Sequence, residues 1–205
     1  MIPSSAMSTF TLTGFFGLTS GQRVRTELAK PNGSTQGVYY VHYVTSLNTA
    51  QSGAISAEIR KYSPPHDIVL QNDTIAFIVA KAYVPPGDTT GNVLLEASHI
   101  IPVPGNPNSE GYEDLVPDFR FPLIFAQGTV TGEHTETEGG IVTFPVTVSD
   151  YVRGATKLST LLCVTVFSSI HTPNCDIVVL FCTDGAWTKG HRDGEMCLLR
   201  IKTPS

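Results

Sequence analysis

The chain has 205 residues, of which 41% are hydrophobic, and a formal net charge of −5. This length allows one large domain or two small ones, each with its own core. The negative net charge excludes a general attraction to nucleic acid or to anionic membranes. Residues 1–105 have no net charge, because they contain six basic and six acidic residues. The excess of negative charge lies in residues 106–205, which contain seven basic and twelve acidic residues.

Export and membrane insertion are not expected. No apolar run is long enough to span a bilayer. The first ten residues lack the charged start and the apolar core of a signal peptide. We therefore expect an intracellular protein, nuclear or cytoplasmic.

The N-terminal part is predicted to begin with a loose tail, residues 1–8, followed by β-rich sequence. Thr9–Thr19 is rich in Thr and Phe and indicates a strand bent or bulged at Gly14 or Gly17. Ser20–Gly37 contains Gly, Pro and Asn and indicates a loop or a wide hairpin. Val38–Leu47 has the β-branched and aromatic content of a strong strand.

The next two features are a helix candidate and a hairpin. Ala54–Tyr62 is the best helix candidate in the chain, because its apolar residues fall on one helical stripe. Thr74–Val84 and Val93–Val103 flank the turn cluster Pro85–Asp88, which predicts a hairpin with a long loop. Thr74–Val84 is apolar on both faces, which is typical of a central strand covered on both sides.

Residues 106–122 are rich in proline and acidic side chains and indicate an ordered linker. We therefore expect two units, residues 9–105 and 123–205. Asp150–Ser159 is polar and is compatible with one helical turn. The strands predicted for the second unit are Leu123–Val130, Val142–Val148, Leu161–Phe167, Asp176–Phe181 and Met196–Lys202.

Five short strands, a helix between the third and the fourth, and a glycine-bent first strand describe a small closed barrel. This pattern resembles the OB-fold, and the tandem layout is similar to replication-protein-A-like modules, which implies binding of single-stranded DNA. The fold class expected is all-β, with two small OB-like β-barrels in tandem and little helix. Separately, the segments TLTGFF, VYYVHYVTSLNT and RKYSPPHD resemble a family of mushroom-forming (basidiomycete) fungi, which implies a source and no activity.

No motif favours an enzyme. The sequence contains no GxSxG motif, which would indicate a nucleophilic serine. It also contains neither of the glycine-rich phosphate-binding motifs, GxxxxGK[ST] and GxGxxG. His134 with its neighbouring glutamates is a metal-cluster candidate, although a solvated hairpin tip is the competing interpretation. Cys182, His191 and Cys197 form a second candidate for a metal site. The competing interpretation is that all four cysteines are buried free thiols. We expect no enzyme activity, no cofactor and no bound metal.

The candidate ligand is single-stranded DNA or RNA, because such binding needs aromatic rings for stacking and cations along a groove. In OB-folds the groove crosses strands two and three and is edged by the loops that join strands one to two and four to five. The predicted nucleic-acid-binding residues are Arg23, Arg25, Lys30, Tyr40, His42, Lys81, Tyr83, Trp187, Lys189 and Arg192. The hypothesis places Tyr40 and His42 on the floor of this groove.

The alternative hypothesis needs no nucleic acid. Tyrosines are common in β-barrel cores, and cations are ordinary on surfaces. On this interpretation the chain is a protein-interaction or structural β-domain, lectin-like or coat-like, with a protein partner or a second copy of itself.

Overall fold

The computed structural model describes residues 8–48, 54–85, 92–117, 122–131, 133, 135–137, 141–166 and 197–200. Within these residues the chain is almost entirely β-strand, with one short 3₁₀ helix, Glu113–Leu115. None of the described helices is long and apolar enough to cross a membrane. The strands in chain order are β1 (Thr9–Ala29), β2 (Thr35–Asn48), β3 (Ala54–Tyr62), β4 (Thr74–Tyr83), β5 (Val93–Pro102), β6 (Leu123–Gln127), β7 (Thr129–Val130), β8 (Thr135–Thr137), β9 (Ile141–Val152), β10 (Ala155–Val166) and β11 (Cys197–Arg200).

The first five strands close into a barrel. Their order is β2-β3-β5-β4-β1, and β1 also pairs with β2, so the ring has no free edge among these strands. Only the β3–β5 pair is parallel, whereas the other pairs of the ring are antiparallel. A closed five-stranded barrel is the architecture of the OB-fold. The predicted all-β, OB-like fold class is confirmed.

The barrel interior is filled by alternate residues of its strands, because successive side chains of a strand point to opposite faces. Leu12, Tyr43, Ile59, Ile78 and Leu95 come from the five strands, and each is at most 2% exposed. β4 lies between β5 and β1, as expected for a central strand. Its inner side is buried and its outer side is half-buried.

The predicted helix at Ala54–Tyr62 is wrong, because this segment is the strand β3. Ala57 and Ile59 are buried, whereas Glu58 and Arg60 are only partly buried on the other face. This alternation has the period of a strand, whereas the spacing of Ile55, Ile59 and Tyr62 also fits a helical stripe. Pairing with β2 on one side and with β5 on the other decides between the two structures.

Ser20–Gly37, predicted as a loop or a wide hairpin, belongs mostly to a long β1–β2 hairpin, so the second of these alternatives is confirmed. β1 therefore extends to Ala29, well beyond the predicted end at Thr19. The irregularity in β1 lies between Thr19 and Gln22, and not at the predicted Gly14 or Gly17. A Cβ atom at Gly21 would lie 2.9 Å from the carbonyl oxygen of Leu70. Glycine is therefore required there by the close approach of another backbone.

The described part of the Pro-rich segment, residues 106–117, contacts the barrel through Tyr112. Tyr112 is 3% exposed, and its hydroxyl donates to the carbonyl oxygen of Val103 at 3.0 Å. The segment then leads into β6, which pairs with β1 and adds a sixth strand to the first sheet. Leu123, which was assigned to the second unit, thus belongs to the first sheet.

The remaining described strands form a second sheet of order β11-β10-β9-β7, with β8 paired to β9. Asp150–Ser159, expected as a helical turn, is instead the end of the β9–β10 hairpin. Its two turn residues, Arg153 and Gly154, both have positive φ angles of 54° and 83°. This is the geometry of a tight two-residue hairpin turn.

The division into two units stays a prediction. Val146, Val148 and Leu161 of the second sheet belong to the same buried cluster as the barrel core. The predicted strand Asp176–Phe181 lies outside the described residues, as do Cys175 and Cys182. The other two cysteines, Cys163 and Cys197, lie in β10 and β11 and are not directly opposite one another in the register.

Candidate nucleic-acid interface

The outer surface of β2 and β3 carries a compact group of side chains. Three cross-strand pairs form it, because directly opposite residues share a face of the sheet. We call it the β2–β3 face, and its residues are Tyr40, His42, Val44, Glu58, Arg60 and Tyr62. The predicted projection of Tyr40 and His42 from one side of β2 is confirmed, with Val41 and Tyr43 buried on the other side.

One end of the β2–β3 face is aromatic. The rings of Tyr40 and Tyr62 lie edge to face, with centroids 6.3 Å apart. The guanidinium of Arg60 lies 4.4 Å from the centroid of the Tyr40 ring, a cation–π distance. Tyr62 is 55% exposed. An exposed ring beside a second ring that is held by a cation can accept a stacked base or another flat ligand.

The cations of the β2–β3 face are already paired. Arg60 contacts Glu96 of β5 through two nitrogens, Nη2 at 2.7 Å and Nε at 2.9 Å from the same carboxylate oxygen. The Arg60 side chain is 16% exposed. At the other end, the Nδ1 atom of His42 lies 2.9 Å from Oε1 of Glu58. The face therefore has alternating charges and no excess of free cations.

Arg153 reaches this face from the turn of the β9–β10 hairpin. Its Nη1 atom lies 2.9 Å from Oε1 of Glu58, and its Nη2 donates to the Glu58 carbonyl oxygen at 3.1 Å. Burial acts to raise the pKa of Glu58, but the hydrogen bond from His42 and the charge of Arg153 outweigh it and lower the pKa. The hairpin turn thus covers the end of the face opposite the two tyrosines.

Arg23, a predicted groove cation, supports a loop instead. Its guanidinium donates to the Ser63 hydroxyl at 3.0 Å, to the Pro65 carbonyl at 3.3 Å and to the Asp67 carbonyl. These acceptors all lie in the loop that connects β3 to β4. Both terminal nitrogens of Arg23 donate to this loop. Arg23 is also opposite Val41 in the register, whereas Val24 is opposite Tyr40, so Arg23 and Tyr40 lie on different faces of the sheet.

Arg25 and Lys30 lie on the exposed end of the β1–β2 hairpin. Arg25 is 60% exposed and lies 3.9 Å from Glu27. Lys30 is exposed at the hairpin turn, where its backbone N–H donates to the Ser34 carbonyl at 2.7 Å. Both side chains flank the barrel and are accessible to a ligand.

Lys81 and Tyr83 share the outer side of β4, as predicted, but they lie on a different part of the barrel. Two strand-to-strand steps separate β4 from β2 around the barrel, with β1 between them. Lys81 Nζ lies 2.6 Å from Oδ1 of Asp150, and the ammonium of Lys157 lies 4.8 Å from the Tyr83 ring centroid. These two residues contact the second sheet and are not brought together with His42.

Three predicted residues, Trp187, Lys189 and Arg192, lie outside the described residues. So do His134 and Glu138 of the metal candidate, and Cys182 and His191 of the other. Among the residues that the structure describes, no three His, Cys, Asp or Glu side chains form a group that could hold a metal ion.

The sequence analysis missed Glu58, Arg60 and Tyr62. These residues are two apart, and the strand periodicity places them on one face. The helical interpretation of Ala54–Tyr62 obscured this alternation. Arg153 gave no sequence signal, because its contact with Glu58 joins residues 95 positions apart.

An open depression adjoins the aromatic end of the β2–β3 face. It lies between the end of β3, the loop to β4, and β5. The depression is lined by Lys61, Tyr62, Pro64, His66, Asp67, Ala97 and Ser98.

No protein-family model and no curated protein matches this sequence. Solved structures of the single-stranded DNA-binding protein from Thermus aquaticus are similar in fold. The wild-type protein has a TM-score of 0.41 and 13% identity, covering 90% of this chain and 98% of that one. A deletion mutant of it has a TM-score of 0.39 and 10% identity, covering 77% and 84%. Neither similarity assigns a function to this chain.

Proposed function

We propose that this protein is a non-enzymatic module that binds single-stranded nucleic acid on its β2–β3 face. The observation that carries the proposal is the pair of rings, Tyr40 and Tyr62, on the outer side of strands two and three of an OB-like barrel. This is the side on which OB-folds hold oligonucleotides. Rings on such a face stack with bases of any sequence.

The charges of the face favour stacking over phosphate contacts. Arg60 and Arg153 each pair with a carboxylate, so a phosphate must compete with Glu96 or Glu58 for them. Arg25 and Lys30 are exposed cations of the hairpin, but Arg25 is opposite Tyr39 in the register and so lies on the other side of the sheet from Tyr40. We therefore propose binding that depends mainly on the two rings, inside the cell, in either the nucleus or the cytoplasm.

The paired arginines also favour the second candidate, a protein-interaction or structural β-domain. A face whose charges are internally balanced is common on a surface that binds no polyanion. On this alternative, Tyr62 and the exposed hairpin contact another protein or a second copy of the chain.

The experiment is a titration of labelled single-stranded DNA and RNA homopolymers, followed by fluorescence anisotropy. Tyr40→Ala and Tyr62→Ala should each weaken binding by about 1–3 kcal/mol, since each removes one stacking ring. Tyr39→Ala is the control, because Tyr39 precedes Tyr40 and points to the other side of β2. Circular dichroism and thermal unfolding would verify that the variants fold.

The unmutated protein must bind at low salt for the proposal to hold. Absence of binding to every homopolymer at low salt would overturn it in favour of the protein-interaction candidate. Equal losses for Tyr39→Ala and Tyr40→Ala would place the ligand elsewhere on the molecule.

A further inference from the structure

The open depression beside Tyr62 has the chemical groups that a nucleotide needs. Tyr62 contributes a ring that is 55% exposed. Lys61 and His66 contribute hydrogen-bond donors. The hydroxyl of Ser98 also lines the depression, but it donates to the Val79 carbonyl at 3.0 Å. The ring can stack with a base, while the donors suit the phosphate oxygens.

The β3–β4 loop forms one wall of the depression and is held in place by hydrogen bonds. Arg23 donates to three acceptors of this loop, as described above. The Ser63 N–H donates to the Tyr39 carbonyl at 2.9 Å, and the Asp67 N–H donates to the Pro64 carbonyl at 3.0 Å. A loop fixed by these bonds and by two consecutive prolines presents its side chains without a large ordering cost.

The cation of this site is only loosely engaged. Lys61 Nζ lies 3.8 Å from Oδ2 of Asp67, which is beyond hydrogen-bond distance. By contrast, Arg60 one position earlier makes two close contacts with Glu96. Lys61 can therefore turn to a phosphate at lower cost than Arg60 can. Asp67 remains the one carboxylate in the lining, and it opposes the phosphate unless Lys61 lies between them.

The ends of the β2–β3 face differ in accessibility. Arg153 and Glu58 occupy the end away from the tyrosines. The tyrosine end opens into the depression. A strand stacked on Tyr40 and Tyr62 can therefore continue toward the β3–β4 loop.

We propose that the depression binds one nucleotide of the single strand, with its base against Tyr62 and its phosphate at Lys61 and His66. This inference rests on the proposed function and extends it, because it sets the direction in which the strand leaves the face. It also gives Arg23 a positioning role, since Arg23 holds the loop that carries His66.

The test uses the full chain and a labelled thymidine octamer at fixed low salt. Lys61→Ala and His66→Ala should each weaken binding about threefold to tenfold, which is the size of one lost polar or charged contact. Lys157→Ala is the matched control for Lys61→Ala. It removes one positive charge near Tyr83, away from this site, and should change affinity by less than about twofold.

Tyr40→Ala separates the two proposals. If Tyr40→Ala weakens binding while Lys61→Ala and His66→Ala match Lys157→Ala, the depression is not a nucleotide site and the proposed function stands. If the unmutated protein does not bind the octamer, both proposals fail. Chemical-shift changes of the Asp67 and Ser98 amides on titration with the octamer would support the site independently of any substitution.

Discussion

Arg23 and Arg25 lie two positions apart in β1, yet their guanidinium groups have different surroundings. Arg23 donates to three acceptors of the β3–β4 loop, and its Nε is buried with no hydrogen-bond partner among the described residues. Arg25 is mostly exposed, and its nearest carboxylate, Glu27, is 3.9 Å away. The sequence predicts phosphate binding for both residues, and this role stays a prediction.

Replacing Arg23 should therefore destabilise the protein, whereas replacing Arg25 should not. We expect Arg23→Ala to lower the free energy of unfolding by about 2–3 kcal/mol, because hydrogen bonds to a charged donor are lost and loop acceptors are left unpaired. Arg25→Ala should change it by less than about 0.5 kcal/mol. Urea unfolding monitored by circular dichroism measures both, and equal effects would contradict the loop-holding role of Arg23.

At the scale of elements, the β9–β10 hairpin is fixed to the barrel at several points. Asp150 is 8% exposed and accepts from Lys81 at 2.6 Å, from the Phe10 N–H at 3.2 Å and from the Thr9 hydroxyl at 3.1 Å. The Val84 N–H donates to the hydroxyl of Ser159 at 3.1 Å. These contacts and the Arg153–Glu58 pair hold the hairpin across the barrel.

Asp150 should make this attachment sensitive to acid. Burial acts to raise the pKa of Asp150, but the hydrogen bonds from Lys81 and from the Phe10 and Tyr151 N–H groups outweigh it and lower the pKa. A carboxyl whose pKa is lower in the folded state contributes its full stability above its unfolded pKa, about 3.9. That contribution falls as the pH drops through the lower, folded pKa.

Asp150→Asn should lower the free energy of unfolding at pH 7 by about 1–3 kcal/mol, since it removes the charge that accepts from Lys81. The variant should also lose less stability than the unmutated protein between pH 5 and pH 2, because one lowered pKa is absent. Urea titrations across this range measure the difference. Parallel stability curves for the two proteins would contradict the role of Asp150.

At the scale of the whole molecule, the net charge of −5 opposes a polyanion. The basic residues of the barrel half are matched by as many acidic ones, and Arg60, Lys81 and Arg153 are engaged in close ion pairs. Within the described part of the chain, these three cations can contact a phosphate only by giving up a carboxylate partner. For the proposed binding of a single strand, this balance favours stacking over phosphate contacts.

We expect a shallow dependence of affinity on salt. With about two phosphates neutralised, the plot of log affinity against log salt concentration should have a slope of about −1.4 for a single strand. A titration series over a tenfold range of salt concentration gives this slope. A slope steeper than about −4 would show that many phosphates are contacted and that the ion pairs of the face open on binding.

The two parts of the chain also share a core at this scale. Val146, Val148 and Leu161 lie in one buried cluster with Phe10 and the rest of the barrel interior. We expect the full chain to unfold in a single transition and a fragment of residues 1–117 to be markedly less stable, because its lost partners leave apolar surface exposed. A fragment with the same denaturation midpoint as the full chain would support two independent units divided at residues 106–122.

The sequence by itself determined the all-β class and the approximate positions of β2, β4 and β5, because alternation and β-branched or aromatic content are local properties. It also placed Tyr40 and His42 on one face of β2, since the period of a strand is two. Only the tertiary structure decided that Ala54–Tyr62 is a strand. Its apolar spacing fits the period of a helix as well as that of a strand, and pairing with β2 and β5 selects the strand.

The tertiary structure likewise decided which cations share a surface. Arg23, Lys81 and Arg153 are alike in sequence terms, but their partners lie 40 to 95 residues away along the chain. Barrel closure places Lys81 two strand-to-strand steps from β2, and docking of the β9–β10 hairpin brings Arg153 onto β3 instead. Such contacts depend on the closure of the ring and the docking of a hairpin, and neither leaves a periodic trace in the sequence.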